Sequence, residues 1–181
     1  MRHAMIDLET LATTPDAHIL TIAARAFDPD TGKVAEAIEL PISDRQHGRR
    51  IDVETIRWWE QQSEAARSAA LLPDWSCSLR DGLVSLRRYL TITHNVQRVW
   101  CCGPSFDAVI LEDAYAEAGI ICPWLFHQVR DVRTICEVAG VTRATHAAAH
   151  RALADVDAQI AAVIEAHGRI SSTTPRAPAS R

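Results

Sequence analysis

The chain of 181 residues has no run of about 18 or more apolar residues, the length that a transmembrane helix needs, so we expect no membrane span. Residues 1–4 lack the apolar stretch of a secretory signal, and we therefore expect a cytoplasmic protein. Its 48% apolar and 23% charged residues are typical of a globular protein, and its length fits one compact domain.

Cysteine is scarce and lacks the spacing of a metal or redox motif. The five cysteines include no Cys-x-x-Cys pair, which argues against a zinc knuckle, and their odd number argues against a disulfide framework. The adjacent Cys101 and Cys102 lie in an apolar run. We therefore predict buried, reduced thiols.

Lysine is almost absent, since Lys33 is the only one, and the net charge is −4. That charge is unfavourable for a nucleic-acid binder, although two bound divalent cations would cancel it. Arginine suits bidentate phosphate contact, but a GC-rich genome explains an arginine-rich and alanine-rich composition equally well. The densest basic run, Arg45, Arg49 and Arg50, is either a solvated loop or a phosphate contact.

The hydrophobic pattern predicts three N-terminal strands, over residues 2–8, 18–27 and 34–42, with a turn at residues 28–32. They form a plausible antiparallel meander. The later elements alternate between strand and helix, which predicts an α/β fold with a mixed five-stranded sheet, antiparallel first and parallel later, flanked by helices.

The predicted helices depend on caps and on apolar spacing. Asp52 is expected to cap a helix from Val53 to about Ala70, with Ile56, Trp59 and Ala66 facing inward. We predict one domain over residues 1–168 and a flexible tail over residues 169–181. The remaining predictions are a helix with leucines at 79, 83, 86 and 90, a strand at 97–102, a helix that Ser105 caps and Gly119 ends, a strand at 129–135, and a last helix that Gly168 stops.

Asp7-Leu8-Glu9 lies in the first predicted strand. Alternate side chains of a strand point to the same face, so Asp7 and Glu9 project together while Leu8 faces the core. Two like charges side by side are unfavourable unless a cation shares them. This triplet is therefore a candidate metal-binding motif.

The second acidic motif ends in Asp107, which follows the loop Gly103-Pro104-Ser105-Phe106 and lies in the first turn of a predicted helix. It either complements the helix dipole or presents a carboxylate at the edge of the sheet, where active sites gather.

His150 precedes Asp155 by five residues, which on an ideal helix places the two side chains about 140° apart. His150 is therefore expected in the loop or the first turn, with Asp155 one turn into the helix. Together the four acids and the histidine suit phosphodiester hydrolysis with metal ions. An alternative zinc pair, His146 with His150, lacks a third ligand nearby.

The aromatic pair Trp58 and Trp59 has two interpretations. The side chains either stack on nucleic-acid bases or pack in the core, and we favour core for one of them and leave the other open.

The ordered set D-x-E, G-P-x-F-D and H-x-x-x-x-D resembles the DEDDh branch of the 3′–5′ exonuclease superfamily, which has a ribonuclease H-like fold. The stretch around Trp58 and Trp59, and Trp100 leading to Gly103, resemble a phage and bacterial subgroup related to exodeoxyribonuclease VIII and a polyadenylate-directed exoribonuclease. The tyrosine branch would carry tyrosine at position 151, which is arginine here.

The resemblance implies hydrolysis at the 3′ end of DNA, or of RNA, with release of nucleoside 5′-monophosphates and with two Mg²⁺ or Mn²⁺ ions. It implies that the partner is a nucleic acid with a free 3′ end and, by analogy with the family, that the protein forms a homodimer. In the same way it implies His150 as general base, Asp7, Glu9, Asp107 and Asp155 as metal ligands, and substrate contacts from Leu8, Thr10, Leu11, Trp59, Ser105 and Phe106.

Three alternatives stay open at this point. The substrate can be mainly RNA, because no residue in the sequence announces a contact to the 2′-hydroxyl. The chain can be a non-catalytic nucleic-acid-binding module of the same fold, or a phosphohydrolase that acts on small nucleotides.

Overall fold

The computed structural model describes residues 1–142 and 150–173, and its centre is one mixed five-stranded sheet. Across the sheet the strand order is 3-2-1-4-5; strands 1 to 3 pair antiparallel, whereas strands 1, 4 and 5 are parallel. The predicted ribonuclease H-like arrangement is confirmed. The strands are β1 His3–Thr10, β2 Ile19–Phe27, β3 Ile38–Pro41, β4 Arg98–Cys101 and β5 Val129–Asp131.

Six α-helices cover this sheet within the described ranges, together with a π-helical turn at Tyr89–Thr93 and a 3₁₀ turn at Phe126–Gln128. None of the described helices is long and apolar enough to cross a bilayer. The helices are α1 Val53–Glu60, α2 Glu64–Leu71, α3 Leu79–Arg88, α4 Asp107–Glu117, α5 Val132–Ala139 and α6 Ala152–Thr173.

The two faces of β1 pack against different helices. Ile6 and Leu8 belong to the core that also contains Leu86 of α3 and Leu111 of α4. Met5, on the opposite face, belongs to the core that contains residues of α5 and α6. Because side chains alternate along a strand, Asp7 and Glu9 continue the face of Met5 and point towards α6.

The helix predicted over residues 53–70 is wrong as a single element, since it is divided into α1 and α2. Asp52 caps α1 as predicted, but the side chain of Ser63 accepts a hydrogen bond from the N–H of Ala66 and begins a second helix. Ile56, predicted to face inward, is 39% exposed.

The strand predicted over residues 129–135 ends early. Asp131 accepts hydrogen bonds from the N–H groups of Arg133 and Thr134, which begins α5 directly after a short β5. Gly140 adopts φ +64 and ends α5 in the left-handed conformation that favours glycine.

Three further predictions about helix ends had mixed outcomes. Gly119 follows α4 with φ +63, as expected of a C′ glycine. Ser105 does not cap α4, because Phe106 occupies the N-cap position. Helix α6 runs through Gly168 to Thr173, so the predicted tail begins inside this helix, and residues 174–181 lie outside the described ranges.

All five cysteines are reduced, as predicted, but only Cys101 and Cys136 are buried; Cys77 and Cys122 are half-buried. Cys101 is fully buried in the core, whereas Cys102 is half-buried.

Candidate active site

The acidic side chains of β1 and α6 meet at one end of the sheet. Asp7, Glu9 and Asp155 each place a carboxylate oxygen within 4.8 Å of the other two. Strand alternation brings the first pair together, and the packing of α6 across β1 adds the third. Three of the four predicted metal ligands therefore form one tight group.

Asp107 lies against β1 as the first residue of α4. It is 3% exposed, and its Oδ1 accepts a hydrogen bond from the N–H of Leu8 at 3.2 Å. Gly103 begins the turn that leads to it, at φ +110, a conformation that favours glycine. Asp107 lines the same pocket as Asp7, but among the described residues it is not part of the tight group of three.

His150 lies just before α6, in a left-handed conformation with φ +64. Asp155 is in the first turn of the helix, and its Oδ2 accepts a hydrogen bond from the N–H of Arg151 at 3.1 Å. Their positions before the helix and in its first turn are those that their spacing predicted, and both residues line the pocket. The alternative zinc pair includes His146, which lies outside the described residues.

Burial and mutual repulsion raise the pKa values of the buried carboxyls. Burial, followed by the charges of Asp107 and Glu9, holds the pKa of Asp7 well above its usual range. The pKa of Glu9 rises to about 8, chiefly through burial and then through the charge of Asp155. Burial raises the pKa of Asp107 to about 7. Ionising these carboxyls together is therefore unfavourable unless a cation lies between them.

A divalent cation fits this donor set. All the candidate ligands are carboxylate oxygens, which Mg²⁺ and Mn²⁺ prefer and which zinc favours less than nitrogen or sulfur. Positive charge placed between the carboxylates would also remove the repulsion that raises their pKa values.

The pocket beside the acids has a volume of about 620 Å³. Of the predicted substrate contacts, Leu8, Thr10, Trp59 and Phe106 line it. The described lining does not include Leu11, which packs against Trp59 and Leu20 in a small side core, or the exposed Ser105.

The structure distinguishes the two adjacent tryptophans. Trp59 is 2% exposed and its Nε1 donates a hydrogen bond to the carbonyl of Thr10 at 2.9 Å, so it fixes α1 to the end of β1. Trp58 is 40% exposed and meets the imidazole of His150 edge to face, with ring centroids 4.7 Å apart. Sequence reasoning left this second role open.

Gln159 is a site residue that the sequence analysis missed. Its Nε2 donates a hydrogen bond to Oδ1 of Asp7 at 2.8 Å, and it lines the pocket. It follows Asp155 by four residues on α6, so the two side chains share one helix face. That spacing was the available signal.

The arginine run at residues 45–50 lies outside the lining described for this pocket. Arg49 is buried, and its guanidinium bonds to Asp113 at 3.1 Å and to Glu117 at 2.9 Å. It also donates to the carbonyls of Ala17 and Pro15, and so it ties a loop to α4.

Comparison with known proteins identifies the protein family of this chain. The model of the 3′-5′ exoribonuclease Rv2179c-like domain matches residues 2–166.

The chain belongs to this family.

An exodeoxyribonuclease of Enterobacteria phage T4 is 30% identical over 166 residues to the Rv2179c-like domain described here, covering 77% of this chain and 72% of the relative. Two solved structures share its fold. E. coli exonuclease I in complex with a dA16 oligonucleotide matches with a TM-score of 0.71 and 13% identity over 94% of this chain and 41% of the other. The nuclease domain of 3′hExo, a DEDDh family member bound to rAMP, matches with a TM-score of 0.61 and 10% identity over 94% and 92%.

The resemblance to DEDDh exonucleases that the motifs indicated is confirmed. The Rv2179c-like domain is thus a 3′–5′ exonuclease domain, a nucleic-acid-binding hydrolase of a metal-dependent group. It spans less than half the length of the exonuclease I chains that it matches.

Proposed function

We propose that this chain removes nucleoside 5′-monophosphates one at a time from a free 3′ end, with two Mg²⁺ or Mn²⁺ ions. The observation that carries the proposal is the group of Asp7, Glu9 and Asp155, whose oxygens lie within 4.8 Å of one another in one pocket. We assign the ions to these three residues and Asp107. When bound, the ions would activate the attacking water and stabilise the charge that develops on the phosphate and on the leaving oxygen.

His150 is the proposed general base. It lies at the pocket outside α6, and it is the one histidine among the described lining residues. In this mechanism the imidazole takes a proton from the attacking water while the carboxylates stay ionised and hold the cations. Leu8, Thr10, Trp59 and Phe106 form the walls against which the terminal nucleotide lies.

DNA and RNA both stay in the proposal. The family model is described as an exoribonuclease, whereas the phage relative is described as an exodeoxyribonuclease. The fold neighbours include one complex with a DNA oligonucleotide and one with rAMP. Homodimer formation is a proposal from family analogy.

The decisive experiment is a panel of 5′-labelled single-stranded DNA, duplex DNA, RNA and poly(A), incubated with Mg²⁺, Mn²⁺ or EDTA. We expect ladders that shorten from the 3′ end with either metal, and none with EDTA or with a 3′-phosphate block. Intact oligonucleotides in every lane would favour a non-catalytic binding module. Hydrolysis of small nucleotides without ladders would favour a nucleotide phosphohydrolase.

A further inference from the structure

Arg133 stands out because of the charge of its surroundings. It lies in the first turn of α5, and among the described residues that line the pocket it is the one arginine or lysine. Six carboxylate side chains line the same space: Asp7, Glu9, Asp52, Glu54, Asp107 and Asp155.

The guanidinium of Arg133 has no hydrogen bond or ion pair with any described residue. Other arginines in this part of the fold are engaged: Arg49 bonds to two acids of α4, and Arg57 bonds to Glu54 at 2.7 Å. An exposed arginine that faces an acidic pocket without pairing keeps its donors available for a ligand.

The position of Arg133 is set by the loop that carries Asp107. Its guanidinium packs over Gly103, where a Cβ would lie 3.6 Å from its Cζ. Its positive charge lowers the pKa of Asp107, which burial raises, although the two do not form an ion pair. The guanidinium therefore lies in the acidic pocket, over the loop that leads to Asp107.

The backbone at the start of α5 does not compete for this role. The carboxylate of Asp131 already accepts the N–H groups of Arg133 and Thr134. An anion that enters here therefore meets the guanidinium as its donor, rather than the helix N-terminus.

We propose that Arg133 binds a non-bridging phosphate oxygen at one of the last two linkages of the substrate strand. The inference rests on the proposed function, because it takes the ligand to be a nucleic-acid strand whose 3′ end reaches the carboxylates. A planar guanidinium matches two phosphate oxygens, and here it supplies positive charge where the pocket otherwise repels a polyanion. Arg133 thus acts in substrate binding beside the metal site.

The test is the affinity of Arg133→Gln for a short labelled oligonucleotide in Ca²⁺, with strand length checked on a gel. We expect the Kd to rise about 10- to 100-fold, as for loss of a charge-assisted hydrogen bond. Arg133→Lys keeps the charge but loses the planar guanidinium. Its Kd should lie between those of the wild type and Arg133→Gln. Arg67→Gln is the matched control, since Arg67 is exposed on α2 and outside the described pocket lining.

Neutral methylphosphonates at each of the last two linkages locate the contact. At one of the two linkages, the methylphosphonate should raise the Kd of the wild-type protein. It should hardly change the Kd of Arg133→Gln, because that variant already lacks the guanidinium that contacts the phosphate. If the affinity losses caused by Arg133→Gln and by the methylphosphonate are additive at both linkages, the proposal is overturned. An unchanged Kd for Arg133→Gln would overturn it as well. Thermal melting of each variant, expected to match the wild type, separates a lost contact from a damaged fold.

Failure of this inference is distinguishable from failure of the proposed function. Should the wild-type protein leave every 3′ end intact with Mn²⁺, the proposed function is wrong. Should it shorten 3′ ends while Arg133→Gln binds and turns over substrate equally well, only the role of Arg133 is wrong.

Discussion

Asp7 illustrates how one side chain can serve function at the expense of stability. Its carboxyl is buried beside Asp107 and Glu9, and it is held in place by the amide of Gln159. The same crowding that raises its pKa makes it a strong ligand for a cation. A neutral isostere should therefore lose activity and gain stability.

For Asp7→Asn we expect turnover to fall by roughly 10²–10³-fold or more, the size seen when a preorganised charge-stabilising group is removed. In EDTA the variant should have a higher melting temperature than the wild type. Its unfolding free energy should be larger by on the order of 1 kcal/mol, because the repulsion among the buried carboxyls is reduced. Kinetics on a 5′-labelled oligonucleotide measure the loss of turnover, and thermal denaturation measures the gain in stability. Asp74→Asn, at an exposed position, is the control. Full turnover would refute the assignment of Asp7.

At the residue scale the sequence predicted what alternation and spacing determine. The shared face of Asp7 and Glu9 follows from the period of a strand, and the loop position of His150 follows from its distance to Asp155. It predicted that Trp59 faces inward, which is confirmed, but it could not choose between the core and base stacking for Trp58. Adjacent helical residues lie about 100° apart, so that choice depends on where α1 docks.

At the scale of elements, the site depends on α1 reaching across to the loop before α6. His150 lies outside any helix, in a left-handed backbone conformation, and the exposed ring of Trp58 contacts its imidazole. Trp59 fixes α1 to the end of β1 through the carbonyl of Thr10. Helix α1 therefore connects the strand that carries the acids to the proposed base.

We expect Trp58→Ala to lower kcat about 10-fold or more, since a base displaced by about 1 Å can lose up to about 10²-fold. Metal affinity should change little, because Trp58 supplies no ligand atom to the tight group of carboxylates. Trp58→Phe keeps an aromatic edge and should recover most of the rate. Trp75→Ala removes an exposed tryptophan outside the described pocket lining and serves as control. A normal kcat in Trp58→Ala would mean that His150 is positioned without it.

Strands and helices were predictable from the sequence where the apolar periodicity is regular. They were not predictable where a capping side chain ends one helix or begins the next. The strands β1 and β2 followed from alternation, and the mixed sheet, antiparallel first and parallel later, followed from the later strand-helix order. The division of α1 from α2 depends on Ser63, and the start of α5 depends on Asp131, each a single side chain that bonds to the backbone. Gly168 does not end α6, since packing of Val163 and Ala166 offsets the roughly 1 kcal/mol that an interior glycine costs.

At the scale of the whole molecule, the acidic site concentrates part of the formal charge that gives the chain its net −4. Cations at the site would reduce both the net charge and the local repulsion. Stability, metal binding and pH are therefore linked through the same carboxyls.

Glu9 makes that linkage measurable. Its pKa is about 8 in the folded protein against 4.5 ordinarily, so the folded state holds a proton that the unfolded chain releases. This contribution to stability is complete below about pH 4.5 and is lost as the pH rises towards 8, by a few kcal/mol at most. Burial lowers the pKa values of His3, His18 and His94, which acts in the opposite direction near pH 6.5.

The comparison that isolates the carboxyls is therefore the wild type against Glu9→Gln, because both share the histidines. In EDTA we expect the melting temperature of the wild type to fall, relative to that of the variant, between pH 5 and pH 8. Added Mn²⁺ should raise the melting temperature of the wild type more at pH 8 than at pH 5.5, since binding must displace the proton at the lower pH. Parallel melting curves for the two proteins across this range would show that Glu9 is ionised at neutral pH in the absence of metal. An equal gain from Mn²⁺ at both pH values would show that Glu9 is not a ligand whose protonation competes with the ion.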